Sequence, residues 1–412
     1  MSMLKNLSKR DLSILIGNTL DHFDTSLYGF LAPILAPIFF PKYIPIVQLI
    51  LAYSIFASSL FTRPIGAFVF GVIAKRYGPV LGLSYSLIGV AVTTVCIGLI
   101  PCYATIGILA PIILILLRII KDLFASGENT IAKLYIMEGK MEKDALLASH
   151  LYQNSTIFGI ILASFVATLV SIFIEMSFLW RICFCFGGFT GLVGYILRCY
   201  SNPIENKKEQ LFNYYKPSSL KSIWQHKTNI ICIAITTAFS YITYTIPFIF
   251  MNGFVPLISD IPLQTMLFLN TFLLIFDMLL IFFTGRLLIR YAAHKVMILS
   301  SLILACTVVP LFYGLENASL LYITCVRCWI VILGVIFLCP LNYWYKQIFT
   351  TPDKYLLLGI GNALGTATIG HMTPAICFCL WHRIGSTVSV GVFIMFIAAC
   401  TIYAIKSIKI CH

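Results

Sequence analysis

Apolar stretches of about twenty residues recur along the whole chain, and that is the length a helix needs to cross the hydrocarbon core of a bilayer. A chain built this way must fold in lipid rather than in water. Only 10% of the 412 residues are charged and 60% are hydrophobic, whereas a soluble domain carries roughly 25% charged residues. A helix satisfies its own backbone hydrogen bonds and is therefore the default spanning element. The runs are continuously apolar rather than alternating, which excludes a membrane β-barrel. They predict twelve spans, at 12–39, 46–73, 80–100, 104–127, 147–172, 178–198, 228–251, 263–284, 296–314, 318–342, 355–379 and 385–405. The polar, charged stretch from Pro203 to Lys227 divides them six and six. The expected fold is all-α, with six spans in 1–200, a linker at 201–227 and six spans in 228–412.

Basic residues set the orientation. Lys5, Lys9 and Arg10, the loop holding Lys75 and Arg76, the linker and the tail (Lys406, Lys409) all fall on one side of the predicted spans, as do Lys133, Lys140, Lys143, Arg286, Arg290 and Lys295. The other side keeps Lys42, Arg181 and Arg383. Both termini are therefore expected in the cytoplasm, and the net charge of +13 needs lipid headgroups rather than a nucleic acid as its partner. Heavy use of Ile, Phe, Tyr and Lys points to an AT-rich bacterial genome and hence to an inner membrane. The basic N-terminal segment has no small-residue cleavage site after it and reads as leading into a retained first span. The 14 cysteines sit mostly inside apolar runs, and no second cluster completes a zinc pattern. Neither a metal nor another cofactor is predicted, and no nucleophile constellation suggests an enzyme.

Ionisable groups inside the membrane are costly and are the first places to look for function. The first span carries Asp21, His22 and Asp24 in "GNTLDHFDTSLYG". The two acids are three apart, so they share a helix face, and two carboxylates that close cannot both ionise cheaply away from water. That suits a proton carrier; the competing reading is a structural pairing with a base on another helix. The fourth span holds Arg118, Lys121, Asp122 and Glu128. Arg118 and Asp122 are spaced to pair along the helix, and a guanidinium there also suits a carboxylate substrate. In the second half, Asp277, Arg327 and His371 stand alone in their spans; Asp277 with Arg327 is the expected inter-helix pair, and His371 is more ordinarily a packed polar residue. Gly361, Gly365 and Gly370 in "GNALGTATIG" mark a close-packed seam.

Several segments, in order, resemble the metabolite:proton symporter branch of the major facilitator superfamily. The opening "IGNTLDHFDTSLYGFLAPILAPIFFP" is similar to that family's first span, with Asp24, Tyr28 and Gly29 on matching positions. "TRPIGAFVFGVIAKRYG" resembles its second span and the loop signature that follows, matched at Arg63, Pro64, Gly66, Gly71, Arg76 and Gly78. Lys75 stands where the signature has Asp. "LRIIKDLFASGENTIAKLYIMEG" matches at Arg118, Gly127 and Glu128 and departs at Lys121, Asp122 and Ser126. "WRICF", at Trp180 and Arg181, is similar to the family's sixth span.

The resemblance implies a major-facilitator-type fold and alternating access between two bundles. It also implies proton-coupled symport of a small solute, most readily a proline or betaine type osmolyte. On that reading Asp21, Asp24 and Glu128 handle the proton, and Arg118, Tyr28 and His22 hold the solute. Arg63, Gly71, Lys75, Arg76 and Gly78 form the gating region, and Asp277, Arg327 and His371 are the second-half charges. The implied partners are the solute, protons and membrane lipids, and the expected state is a monomer. A dicarboxylate or other organic-anion transporter, or a relative without transport, is the alternative.

Overall fold

The computed structural model describes residues 8–136, 142–173, 178–201, 224–287, 291–316, 318–348 and 354–408. No strand occurs among them. The helices are α1 (Lys9–Phe39), α2 (Pro45–Ser54), α3 (Ser59–Tyr77), α4 (Pro79–Gly98), the single turn α5 (Tyr103–Ile106), α6 (Leu109–Tyr135), α7 (Glu142–Ile172) and α8 (Leu179–Ser201). They continue with α9 (Lys227–Thr245), α10 (Met251–Ile258), α11 (Leu263–Leu287), α12 (Ala293–Tyr313), α13 (Leu320–Ile348), α14 (Lys354–Gly365), α15 (His371–Ile384) and α16 (Val388–Ser407). A 3₁₀ turn at Ile55–Ser58 joins α2 to α3, and π turns at Ile246–Phe250 and Thr366–Gly370 join α9 to α10 and α14 to α15. Taken as continuous rods, these make twelve long helices among the described residues, the number that hydropathy predicts. Nine helical stretches among the described residues are long and apolar enough to cross a membrane. α1 and α6 are as long, but they carry the charges discussed below.

Local chemistry accounts for the ends. Ser8 caps α1 by accepting from the Asp11 amide at 3.1 Å while the Asp11 carboxylate accepts from the Ser8 amide at 3.3 Å, a reciprocal capping box. α2 opens on Pro45, whose missing N–H is no loss in the first turn. Gly78 separates α3 from α4 with φ +91°, a conformation open to glycine and strained for other residues. Gly71, Lys75 and Arg76 lie on α3, but their side chains are outside the described residues, as are Arg290 and most of the 201–227 stretch.

The chain folds as two compact units: Met1–Phe40 with Ser58–Lys216, and Pro41–Ala57 with Pro217–His412. Each is inverted relative to a soluble protein. Large apolar side chains face outward, with Phe61 71% and Leu321 75% exposed, while charged residues are buried inside. This is what a hydrocarbon solvent selects. Helices approach closely at glycines. A Cβ on Gly159 of α7 would stand 2.1 Å from the Thr19 carbonyl oxygen of α1. In the second unit the predicted seam is present: a Cβ on Gly365 would stand 2.3 Å from the Ala234 carbonyl oxygen of α9.

Candidate functional site

In the first unit the membrane charges gather where α1, α3, α4 and α6 meet. Asp24 of α1 is 2% exposed and Lys121 of α6 is 1% exposed. The Lys121 ammonium lies 2.5 Å from Asp24 Oδ2 and also donates to the Asp24 backbone carbonyl at 3.3 Å. Thr94 Oγ1 of α4 donates to the same Oδ2 at 2.7 Å. Asp24 Oδ1 is buried without a hydrogen bond; it faces α8, where a Cβ on Gly187 would come within 3.1 Å of it.

Asp24, Arg118 and Lys121 are interior because their helices offer no other polar environment. Removing such charges from water is tolerable only with a close counter-charge and further hydrogen bonds. Asp122, on the next position of α6, faces α3 and lies 3.8 Å from the Arg63 guanidinium. Arg118, one turn before Lys121, places its guanidinium 4.5 Å from the centre of the Tyr28 ring, a cation–π contact. One face of Tyr28 is thus occupied by the protein's own cation. His22 Nδ1 approaches the Asn18 carbonyl oxygen at 2.9 Å and Asp21 Oδ2 at 3.9 Å. Asn18 fastens α1 to α7 by donating to the Tyr152 carbonyl, Ser155 Oγ and Thr156 Oγ1 at 2.7–3.0 Å. The structure therefore gathers Asp24, Arg63, Arg118 and Tyr28 with Lys121, Asp122 and Thr94. Glu128 lies on α6, but its side chain is outside the described residues.

The second unit buries polar groups differently. Thr236, Thr237, Tyr345 and Asn362 form a neutral network, with Thr237 Oγ1 2.7 Å from both Tyr345 Oη and Asn362 Oδ1. His371 opens α15 and packs its ring 5.7 Å from the rings of Phe56 and Tyr241. The expected pair of Asp277 with Arg327 does not form. Arg327 Nη2 donates instead to Asn252 Oδ1 at 3.1 Å and to Asn270 Oδ1 at 2.5 Å. Helix register is the reason. α11 and α13 are matched at two points, Arg327 with Asn270 and Cys339 Sγ with Thr284 Oγ1 at 3.2 Å. Asp277 falls midway, two turns or about 10 Å along the axis from Asn270. The matching stretch of α13 is Ile330 to Leu338, wholly apolar. Asp277 is buried with no ion pair or hydrogen bond among the described residues.

Sequence reasoning placed the charged residues in the membrane but missed their partners. Thr94 carries no signal of its own. Lys121 carried one, as a base one helix turn after Arg118 in a span that must meet two acids. Asn252 and Asn270 also carried one, since an amide in an apolar run must find a partner. No group of side chains that could hold a metal ion occurs among the described residues.

The sequence of the chain matches a known family. The model of the Major Facilitator Superfamily matches residues 14–370. The proline/betaine transporter of Salmonella typhimurium is 35% identical over 187 residues, covering 44% of this chain and 37% of that protein. The glycine betaine/proline/ectoine/pipecolic acid transporter OusA of Dickeya dadantii is 35% identical over 196 residues, covering 47% and 39%. The match thus spans well under half the length of these relatives. A Staphylococcus haemolyticus protein that carries the proline/betaine transporter name provisionally is 27% identical over 381 residues, covering 88% and 79%. Among solved structures, the xylose transporter XylE from E. coli superimposes with a TM-score of 0.74 at 14% identity, covering 97% of this chain and 99% of that one. Those relatives are transporters, not enzymes.

Proposed function

Because the chain belongs to the major facilitator superfamily, we propose that it is a proton-coupled symporter of a compact zwitterionic solute, of the proline or betaine type. Its bundles, 1–200 and 228–412 about the 201–227 linker, alternate access across a bacterial inner membrane as a monomer, with both termini cytoplasmic. The relatives' names support the substrate class; the coupling rests on one observation, the buried Asp24–Lys121 pair.

Leaving aside Asp11, which caps α1, the buried charges among the described residues of the first unit are Arg63, Arg118 and Lys121 against Asp21, Asp24 and Asp122. Among these, three positive groups stand against three negative ones. A proton arriving at Asp24 cancels the charge that holds Lys121 and leaves one uncompensated positive charge in a dry interior. The carboxylate end of an incoming zwitterion gives the released Lys121 ammonium a local counter-charge, even though the solute as a whole is neutral, so proton and solute are favoured together. Asp21 and Glu128 take part in moving the proton, while Arg118, Tyr28 and His22 contact the solute. Lys75 and Arg76, with Arg63, Gly71 and Gly78, belong to the gate.

The test is uptake of labelled proline and glycine betaine into proteoliposomes, with and without an imposed inward proton gradient. Gradient-driven accumulation is expected in the native chain and its loss in Asp24→Asn. Intact proton-driven uptake in Asp24→Asn would remove Asp24 from the coupling. Lys121 favours a second reading: an ammonium already seated on Asp24 acts as a built-in cation, and the chain exchanges organic anions without a proton. Exchange of internal for external solute, insensitive to the gradient, would select that reading.

A further inference from the structure

We infer that Arg327, held between Asn252 and Asn270, is a carboxylate-binding site inside the second unit. The inference rests on the symport reading only for its choice of solute.

The guanidinium is 1% exposed. A guanidinium offers five N–H donors, and both of its bonds to the amides come from Nη2. Nε is buried without an acceptor, and Nη1 donates to nothing among the described residues. The acceptors that hold the group are neutral, and no acidic side chain pairs with it among the described residues. A buried full charge with only amide partners is expensive. The same chain pairs Lys121 with Asp24 and places Arg63 beside Asp122, so it has the means to neutralise a buried cation and has not used them here.

The setting is also built rather than incidental. Asn252 donates its Nδ2 to the Phe248 carbonyl at 2.6 Å, which turns Oδ1 toward Arg327. Phe248 lies in the π turn Ile246–Phe250, a helical defect that recurs at functional sites. The two amides orient one edge of the guanidinium and leave the remaining donors for an anion of the planar, two-oxygen kind that Arg recognises best. The occupant is therefore a carboxylate-bearing solute.

The test is thermal unfolding of the purified full chain in detergent, titrated with glycine betaine, proline, succinate and choline. Choline keeps the quaternary ammonium of betaine but lacks the carboxylate. The key variant is Asn270→Asp, which supplies Arg327 with a permanent internal counter-ion; Asn252→Asp does the same from the other side should the first not fold. The native chain is expected to be stabilised by betaine and proline and not by choline. Asn270→Asp is expected to unfold no earlier than the native chain, yet bind betaine roughly tenfold or more weakly, because losing a buried charge interaction acts on affinity at that scale. A folded Asn270→Asp that binds betaine within about twofold of the native affinity overturns the site and leaves the transport reading standing. A native chain that answers to succinate but to neither proline nor betaine, with that answer lost in Asn270→Asp, upholds the site and overturns the osmolyte reading. No response of the native chain to any of the carboxylates overturns the site.

Discussion

Lys121 sits on Asp24 at 2.5 Å, Arg63 lies 3.8 Å from Asp122, and Arg118 lies over Tyr28; in the second unit, Arg327 rests on two neutral amides and Asp277 makes no ion pair or hydrogen bond among the described residues. Both units are helical among the described residues and solve the problem of buried charge in different ways. In the first, cations and acids answer one another among the described residues, Lys121 with Asp24 and Arg63 with Asp122. In the second, among the described residues, one buried cation and one buried acid stand about two helix turns apart along the axis, and they do not pair with each other. Paired charges give a unit something to lose when one partner is removed, whereas isolated charges leave something for a ligand to complete.

The largest effect expected from that difference is on the Lys121–Asp24 pair. Lys121→Met leaves a buried carboxylate supported by Thr94 alone and should destabilise the chain by about 3–5 kcal/mol. The double variant Asp24→Asn, Lys121→Met should recover most of that loss, because it removes the orphaned charge. Thermal unfolding of the native chain, both single variants and the double gives the coupling directly. Simple additivity would mean that the two side chains are neighbours without depending on each other.

A smaller effect is expected one bond further out. Thr94→Val keeps the shape of the side chain and deletes its hydrogen bond to Asp24 Oδ2, which is charge-assisted at 2.7 Å. A loss of about 2 kcal/mol follows from bonds of that kind. The loss should vanish when Thr94→Val is made in an Asp24→Leu background, which leaves no acceptor at that position. A loss that persists there would assign Thr94 to packing of α4 rather than to the carboxylate.

The sequence makes these tests possible to different degrees. Span positions follow from hydropathy and length alone, because a bilayer demands both and little else. Asp21, Asp24, Arg118, Lys121, Asp277 and Arg327 stand out for the same reason, as ionisable groups where the solvent is hydrocarbon. Partnership is another matter, since it depends on helix rotation and register, which no single span encodes. Asp277 and Arg327 are opposite in charge and lie on adjacent helices, yet the match of Asn270 to Arg327 and Thr284 to Cys339 sets an apolar stretch of α13 against the acid. Thr94 is one of two adjacent threonines in α4, and only the meeting of α1 with α4 singles it out. The glycine seam lies between these extremes: Gly361, Gly365 and Gly370 announce a close approach, and the structure supplies α9 as the helix that approaches.

Asp277→Asn inverts the expectation for the first unit. The acid is 6% exposed and makes no ion pair or hydrogen bond among the described residues, so nothing in its surroundings loses a partner when the charge is deleted. An amide of the same shape carries a smaller penalty for leaving water than an ionisable acid, and a gain of about 1 kcal/mol in stability is expected. Asp24→Asn should do the reverse, since it strips Lys121 of its anion. Thermal midpoints of the two variants in one detergent compare them on the same scale. Loss of stability in both would mean that Asp277 has a counter-charge after all, and that the second unit balances its interior as the first one does; opposite signs would tie the isolated acid to a demand other than folding.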